Sequence, residues 1–84
     1  MTPAEALEAI RCHALAGRFV ITRHAYARMR QRNVLLRDVR SALTGAMTCQ
    51  AEESKWRITG PDYDGDSLTC VVVLEEGVVV VTVF

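Results

Sequence analysis

Eighty-four residues, half of them hydrophobic and 24% charged, make one globular domain with a single modest core and exclude a disordered or multidomain chain. Ten basic side chains balance ten acidic ones, which argues against tight nonspecific binding to DNA by bulk charge. No apolar run reaches the roughly 18 residues of a membrane span, and the N-terminus lacks the basic-then-apolar order of a signal peptide, so no membrane contact and a cytoplasmic location are expected.

Thr2-Pro3-Ala4-Glu5 reads as a capping box with proline at the first helical position, so a helix starts there. Leu7, Ile10 and Ala14 share one of its faces, and Gly17 is a natural left-handed terminator. Phe19-Val20-Ile21 is a short apolar link to Thr22, the expected N-cap of a second helix that runs to about Asn33. Leu36, Val39, Ala42 and Leu43 form another 3.6-period stripe, predicting a third helix from about Leu36 to Thr44 that stops at Gly45. The period then changes to two. Met47 to Glu52, Lys55 to Thr59, Ser67 to Leu74 and Val78 to Phe84 read as four strands, with hairpin signals at Asp64-Gly65 and Glu76-Gly77. The expected fold is α+β, with two or three N-terminal helices on a four-stranded antiparallel meander.

On strict alternation the last strand is apolar on both faces, with Val78, Val80 and Phe84 on one and Val79, Val81 and Val83 on the other. One face packs the helices. The second would leave a valine patch exposed, so a homodimer or a covering protein partner is expected.

Cys12, Cys49 and Cys70 are odd in number and contain no C-x-x-C pair, which argues against a disulfide framework or a zinc knuckle; they read as small apolar residues. Cys12-His13 points two ligands about 100° apart with no second pair to complete a site. Asp62-Tyr63-Asp64-Gly65-Asp66 has its glycine misplaced for a calcium loop and no bidentate glutamate at the required spacing, so it reads as a turn. Neither a metal nor another cofactor is expected.

Charge is unevenly distributed. Residues 1 to 42 carry eight arginines against Glu5, Glu8 and Asp38, a net +5, and the remainder carries −5. Such asymmetry suggests nucleic acid or an acidic partner for the basic half. Within it, His24-Ala-Tyr-Ala-Arg28-Met-Arg-Gln-Arg32 places an imidazole and two guanidiniums on one helical stripe, Arg28 roughly 40° and Arg32 roughly 80° from His24, with about 6 Å between successive Cβ atoms. Three such side chains suit one phosphate. Ala25, Tyr26 and Met29 occupy the neighbouring arc expected to pack inward, which would put the stripe at the lip of a groove.

Ile21-Thr-Arg-His24-Ala-Tyr-Ala-Arg28-Met-Arg-Gln-Arg32, Asp38-Val39, Trp56-Arg-Ile-Thr-Gly60 and the closing Val-Val-Thr82-Val-Phe84 together resemble a small bacterial family of formerly unknown function grouped with RelE/ParE-like toxins. The chain is similar, more distantly, to the BrnT and MqsR toxins. The resemblance spans residues 19 to 84 and is specific mainly in the H-A-x-x-R-M-x-x-R string at His24, Arg28 and Arg32. It implies a compact sheet with helices, metal-independent mRNA cleavage and a cognate antitoxin, often of the zinc-finger MqsA type. Asn33-Val34-Leu35 stands where many relatives have Gly-Ile-Ser, so the usual side-chain cap of the third helix is missing.

Two functions remain open on the residues. As an endoribonuclease cutting single-stranded RNA by 2′-hydroxyl attack, the protein would use a neutral His24 to take the 2′-OH proton and Arg28 and Arg32 to hold the phosphate. Arg23, Lys55 and Arg57 are further phosphate candidates, and Tyr63 is a nominee for the leaving-group acid. As a non-catalytic module, the same basic helix would dock nucleic acid or an acidic protein.

Overall fold

The computed structural model describes residues 1–84. Its first helix, α1 (Pro3–Leu15), begins at the capping box: the Glu5 N–H donates to Thr2 Oγ1 at 3.2 Å, and the Thr2 N–H donates to the Glu5 carboxylate at 2.8 Å. These bonds hold the Glu5 carboxyl below the usual carboxylate range. The helix ends in a Schellman motif, with Gly17 at φ +77°, its N–H on the Ala14 carbonyl and the Arg18 N–H on that of His13. β1 (Phe19–Ile21) follows, then α2 (Arg23–Gln31), a left-handed Asn33 and α3 (Leu36–Thr44). Leu35 caps α3 without any side-chain acceptor, as its apolar identity requires. The Asp38 carboxylate instead reaches back to the Leu35 N–H at 2.8 Å and also accepts from the Tyr63 N–H at 3.1 Å, which pins the start of α3 to a distant hairpin.

Four strands then run in succession: β2 (Thr48–Glu52), β3 (Lys55–Pro61), β4 (Ser67–Leu74) and β5 (Val78–Val83). The expected α+β architecture is present, but the sheet is five-stranded and mixed, in the order β1-β5-β4-β3-β2. Phe19 to Ile21 is therefore more than a link. It pairs parallel with β5 in the register Phe19↔Val78, Val20↔Val79 and Ile21↔Val80. Three residues carry no legible period, and their partner lies at the other end of the chain, so local patterning is silent on this strand.

β5 also departs from strict alternation. Its pairing with β4 jumps from Val71↔Thr82 to Val72↔Val80, leaving Val81 as the extra residue of a β-bulge. Beyond the bulge the faces exchange. Val78, Val80 and Val83 are buried in the core, whereas Thr82, paired with the Val71 that itself pairs with Arg57, lies on the opposite face. The expected grouping of Phe84 with Val78 and Val80, and of Val83 with Val79 and Val81, is corrected accordingly. The second face is less apolar than alternation implies, since it carries Lys55, Arg57, Thr82 and the bonded hydroxyls of Thr59 and Thr69, 3.0 Å apart, beside its valines.

All three helices serve the one core. Ile10, Ala14, Ala25, Met29, Val39, Ala42 and Leu43 meet Ile58, Leu68, Cys70, Val72, Val78, Val80 and Val83 there, and each large side chain contributes on the order of 1.5–3 kcal/mol by leaving water. Alanine and glycine let α3 lie close on β3. A Cβ added at Gly60 would run into the Ala42 carbonyl and come within 3.0 Å of the Ala46 Cα. Gly60→Ala is expected to destabilise the fold by about 3 kcal/mol, near the upper end for overpacking, because backbone rather than a flexible side chain must yield; the urea midpoint followed by Trp56 fluorescence measures it. The cysteines, read as small apolar residues, differ in environment: Cys12 is exposed on α1, Cys49 is half-buried and Cys70 is buried. Burial pushes the Cys70 thiol up to about 12 and raises that of Cys49. A thiol reagent at pH 8 should therefore modify Cys12 rapidly and Cys70 only on unfolding, as mass spectrometry of the labelled peptides would show.

Candidate nucleic-acid interface

Thr22 fixes the site's geometry. Its N–H donates to the Val80 carbonyl at 3.0 Å, continuing the β1–β5 ladder by one bond, and its Oγ1 donates to the Val81 carbonyl at 3.1 Å while accepting from the Ala25 N–H at the same distance. One side chain thus caps α2 and ties it to the bulge. From there α2 runs along the edge of β5 with Ala25 and Met29 buried beneath it. Tyr26, expected on the inward arc, is instead 48% exposed.

Arg28, half-buried, is aimed at the end of β5. Its Nε lies 3.5 Å from the Val83 carbonyl and its guanidinium 5.9 Å from the centre of the Phe84 ring. Arg57, from β3, places its guanidinium 4.7 Å from the same ring. Two cations from elements far apart in sequence therefore meet at one aromatic ring, within cation–π range. Beside them lies a 250 Å³ cleft whose lining includes Glu52, Lys55, Arg57, Thr82 and Phe84. Arg57 already holds an anion there: its Nε and Nη2 donate to the two oxygens of Glu52 at 2.9 and 3.1 Å. The pair lowers the Glu52 carboxyl below the usual carboxylate range and raises Arg57. Both groups are open to solvent, so this bidentate contact is readily exchanged for another anion of the same geometry.

The expected site residues separate into two sets. Arg28, Lys55 and Arg57 converge around Phe84 and the cleft. His24 and Arg23 are exposed in the first turn of α2, with His24 one turn before Arg28 on its stripe, and neither side chain makes a hydrogen bond. Arg32 forms the C-cap at φ −108°, with its N–H still on the Arg28 carbonyl at 3.1 Å. Tyr63 does not join the site. It sits on the hairpin after β3 with Arg37 4.2 Å from its ring, so its nomination as leaving-group acid is withdrawn. Phe84 and Glu52 are the members that sequence patterning missed. The bulge at Val81 reverses the face on which Phe84 falls, and four consecutive valines give no sign of where the extra residue lies.

Asp38, Asp62 and Asp64 bring carboxylate oxygens within 4.8 Å of one another. Those of Asp38 already serve Leu35 and Tyr63, and Asp62 Oδ1 accepts from the N–H groups of Asp64 and Asp66, both at 2.9 Å. The segment is a hydrogen-bonded turn.

This arrangement, an arginine-rich helix laid along the last strand of a small sheet, falls almost wholly within a segment that known proteins share. Residues 21–84 match a family described as a domain of unknown function, DUF4258, and the chain belongs to that family. The match names no activity and makes no link to RelE/ParE-like toxins. No curated protein and no solved structure matches the chain.

Thr22→Val should remove both the cap and the tie to Val81 at nearly constant volume, destabilising the protein by about 1–2 kcal/mol. Thr22→Ser keeps both bonds and should remain within about 0.5 kcal/mol of wild type; chemical denaturation of the two variants side by side provides the check.

Proposed function

We propose that the protein binds single-stranded RNA across α2 and the end of β5 and cleaves it without a metal ion. The observation that carries this reading is the meeting of Arg28 and Arg57 on the Phe84 ring. An aromatic face flanked by guanidiniums suits an unstacked base and its phosphate, and such a base is a feature of single-stranded rather than duplex RNA. Arg57 would exchange Glu52 for a phosphate, and Arg28 and Lys55 would contribute charge from either side. Arg23 and Arg32, exposed at the two ends of α2, would follow the backbone further along the strand.

In the cleavage step His24 removes the 2′-hydroxyl proton, the 2′-oxygen bonds to the adjacent phosphorus, and the bond from phosphorus to the 5′-oxygen breaks. The leaving oxygen takes a proton from water. The products are a 2′,3′-cyclic phosphate and a 5′-hydroxyl end, with the arginines stabilising the charge on the phosphoryl oxygens. The resemblance of the His24-to-Arg32 string to toxin sequences supports placing this activity in a toxin–antitoxin pair, with a cognate antitoxin as protein partner.

A second reading, a binding module without catalysis, is favoured by one feature: no side chain hydrogen-bonds to His24 to orient its ring, whereas a general base is ordinarily held in place. A labelled oligoribonucleotide in EDTA separates the two. Cleavage by wild type with a loss on the order of 10² or more in the single-turnover rate for His24→Ala supports the enzyme. Arg57→Ala and Arg28→Lys should weaken binding, since lysine lacks the bidentate fork. Binding without cleavage identifies the module, and wild-type rates in the His24 variant remove His24 from the chemistry. Absence of RNA binding by a folded wild type overturns both readings.

A further inference from the structure

A second surface lies outside this site. The end of α1, the start of β1 and the outer side of α3 border two cavities of 440 and 340 Å³, and Arg37 and Arg40 line both. Phe19 and Leu36 complete one, Leu15 and Tyr63 the other. Leu15 is 66% exposed, Leu36 50% and Tyr63 62%, so apolar area stands open on both sides of the arginines. The groove follows α3 from Leu36 to Thr44, about 12 Å at 1.5 Å per residue.

Charge identifies the occupant. The one ion pair in the molecule is Arg57–Glu52, so neither Arg37 nor Arg40 has a carboxylate partner. Of the three carboxylates that cluster near Tyr63, Asp38 accepts from Leu35 and Tyr63 and Asp62 from Asp64 and Asp66, and none of the three, Asp64 included, pairs with an arginine. Arg37 stacks on Tyr63, which holds its guanidinium over the groove wall, and the Arg40 side chain donates no hydrogen bond. Apart from Phe19 and Tyr63, the side chains that line the two cavities come from α1, α3 and the turn between α1 and β1. β1, whose Phe19 borders one cavity, is an edge strand of only three residues, whereas Arg37 and Arg40 stand one turn apart on α3, so a helix laid along α3 meets both and helix-in-groove recognition fits better than strand addition.

We propose that this groove docks an acidic amphipathic helix of a partner protein, whose apolar side chains, one per turn, enter the two cavities while its carboxylates pair with Arg37 and Arg40. The proposal is independent of RNA binding at Phe84. The probe is a fluorescein-labelled helical peptide of about 16 residues, long enough to hold helix, with leucine at every fourth position and glutamate and alanine elsewhere. Saturable binding by anisotropy is expected, at least tenfold weaker for the same peptide with lysine in place of glutamate. The Arg37→Glu/Arg40→Glu double variant should bind the acidic peptide at least tenfold more weakly, Leu36→Ala should also weaken it, and Arg57→Ala should leave it unchanged. Arg40→Ala, checked by circular dichroism, supplies the same comparison should the double variant unfold. The proposal is overturned if wild type does not bind the acidic peptide, if the arginine variants bind it as wild type does, or if a single-stranded oligoribonucleotide competes for the groove and loses binding in the Arg37/Arg40 variants.

Discussion

The three hydrogen bonds at Thr22 decide where everything at the basic end of the molecule lies. They join the last residue before α2 to the carbonyls of Val80 and Val81 and to the helix's own first turn, so the extra residue in β5 and the start of the arginine-rich helix form one feature. The bulge sends Val83 into the core and Phe84 toward Arg57. The cap, in the same stroke, sets α2 so that Arg28 reaches the Val83 carbonyl and the Phe84 ring. The meeting of two cations at one ring follows from a single threonine and a single register shift.

The molecule's acids explain why its arginines remain available. Equal numbers of charges suggest mutual neutralisation, yet Glu5 and Asp38 close helix N-termini and Asp62 closes a turn. Each is taken by backbone donors, and only Glu52 meets an arginine. Neutral composition and an unneutralised helical surface are therefore compatible, because carboxylates that satisfy N–H groups are turned away from nearby cations.

Local patterning revealed the helices well. The Thr2 box, the Thr22 cap and the stripes of α1 and α3 act within a few residues, so their effects stand in the sequence beside their causes. β2 to β5 were legible for the same reason. Where the physics is nonlocal, patterning failed. The pairing of Phe19–Ile21 with β5 crosses most of the chain, and the Val81 bulge depends on a threonine some sixty positions away. The site shows the same division. Arg28, Lys55 and Arg57 could be nominated by residue type, but their meeting at Phe84 depends on the bulge. Arg32 falls at the C-cap, where the helical period that nominated it ends.

The parallel pairing of β1 with β5 also imposes an order on the protein's maturation. Synthesis delivers α1, β1 and α2 first, yet β1 has no strand to pair with and Thr22 no carbonyls to bind until residues 78 to 83 have left the ribosome. Closing so long a loop is the entropically demanding step, and contacts of this separation slow folding relative to a helix bundle of similar size. The nascent chain thus exposes a basic helix without its aromatic counterpart. Arg28 and Arg57 meet at a ring only once β5 and Phe84 are in place, so assembly of the site waits on the strand farthest along the sequence from α1.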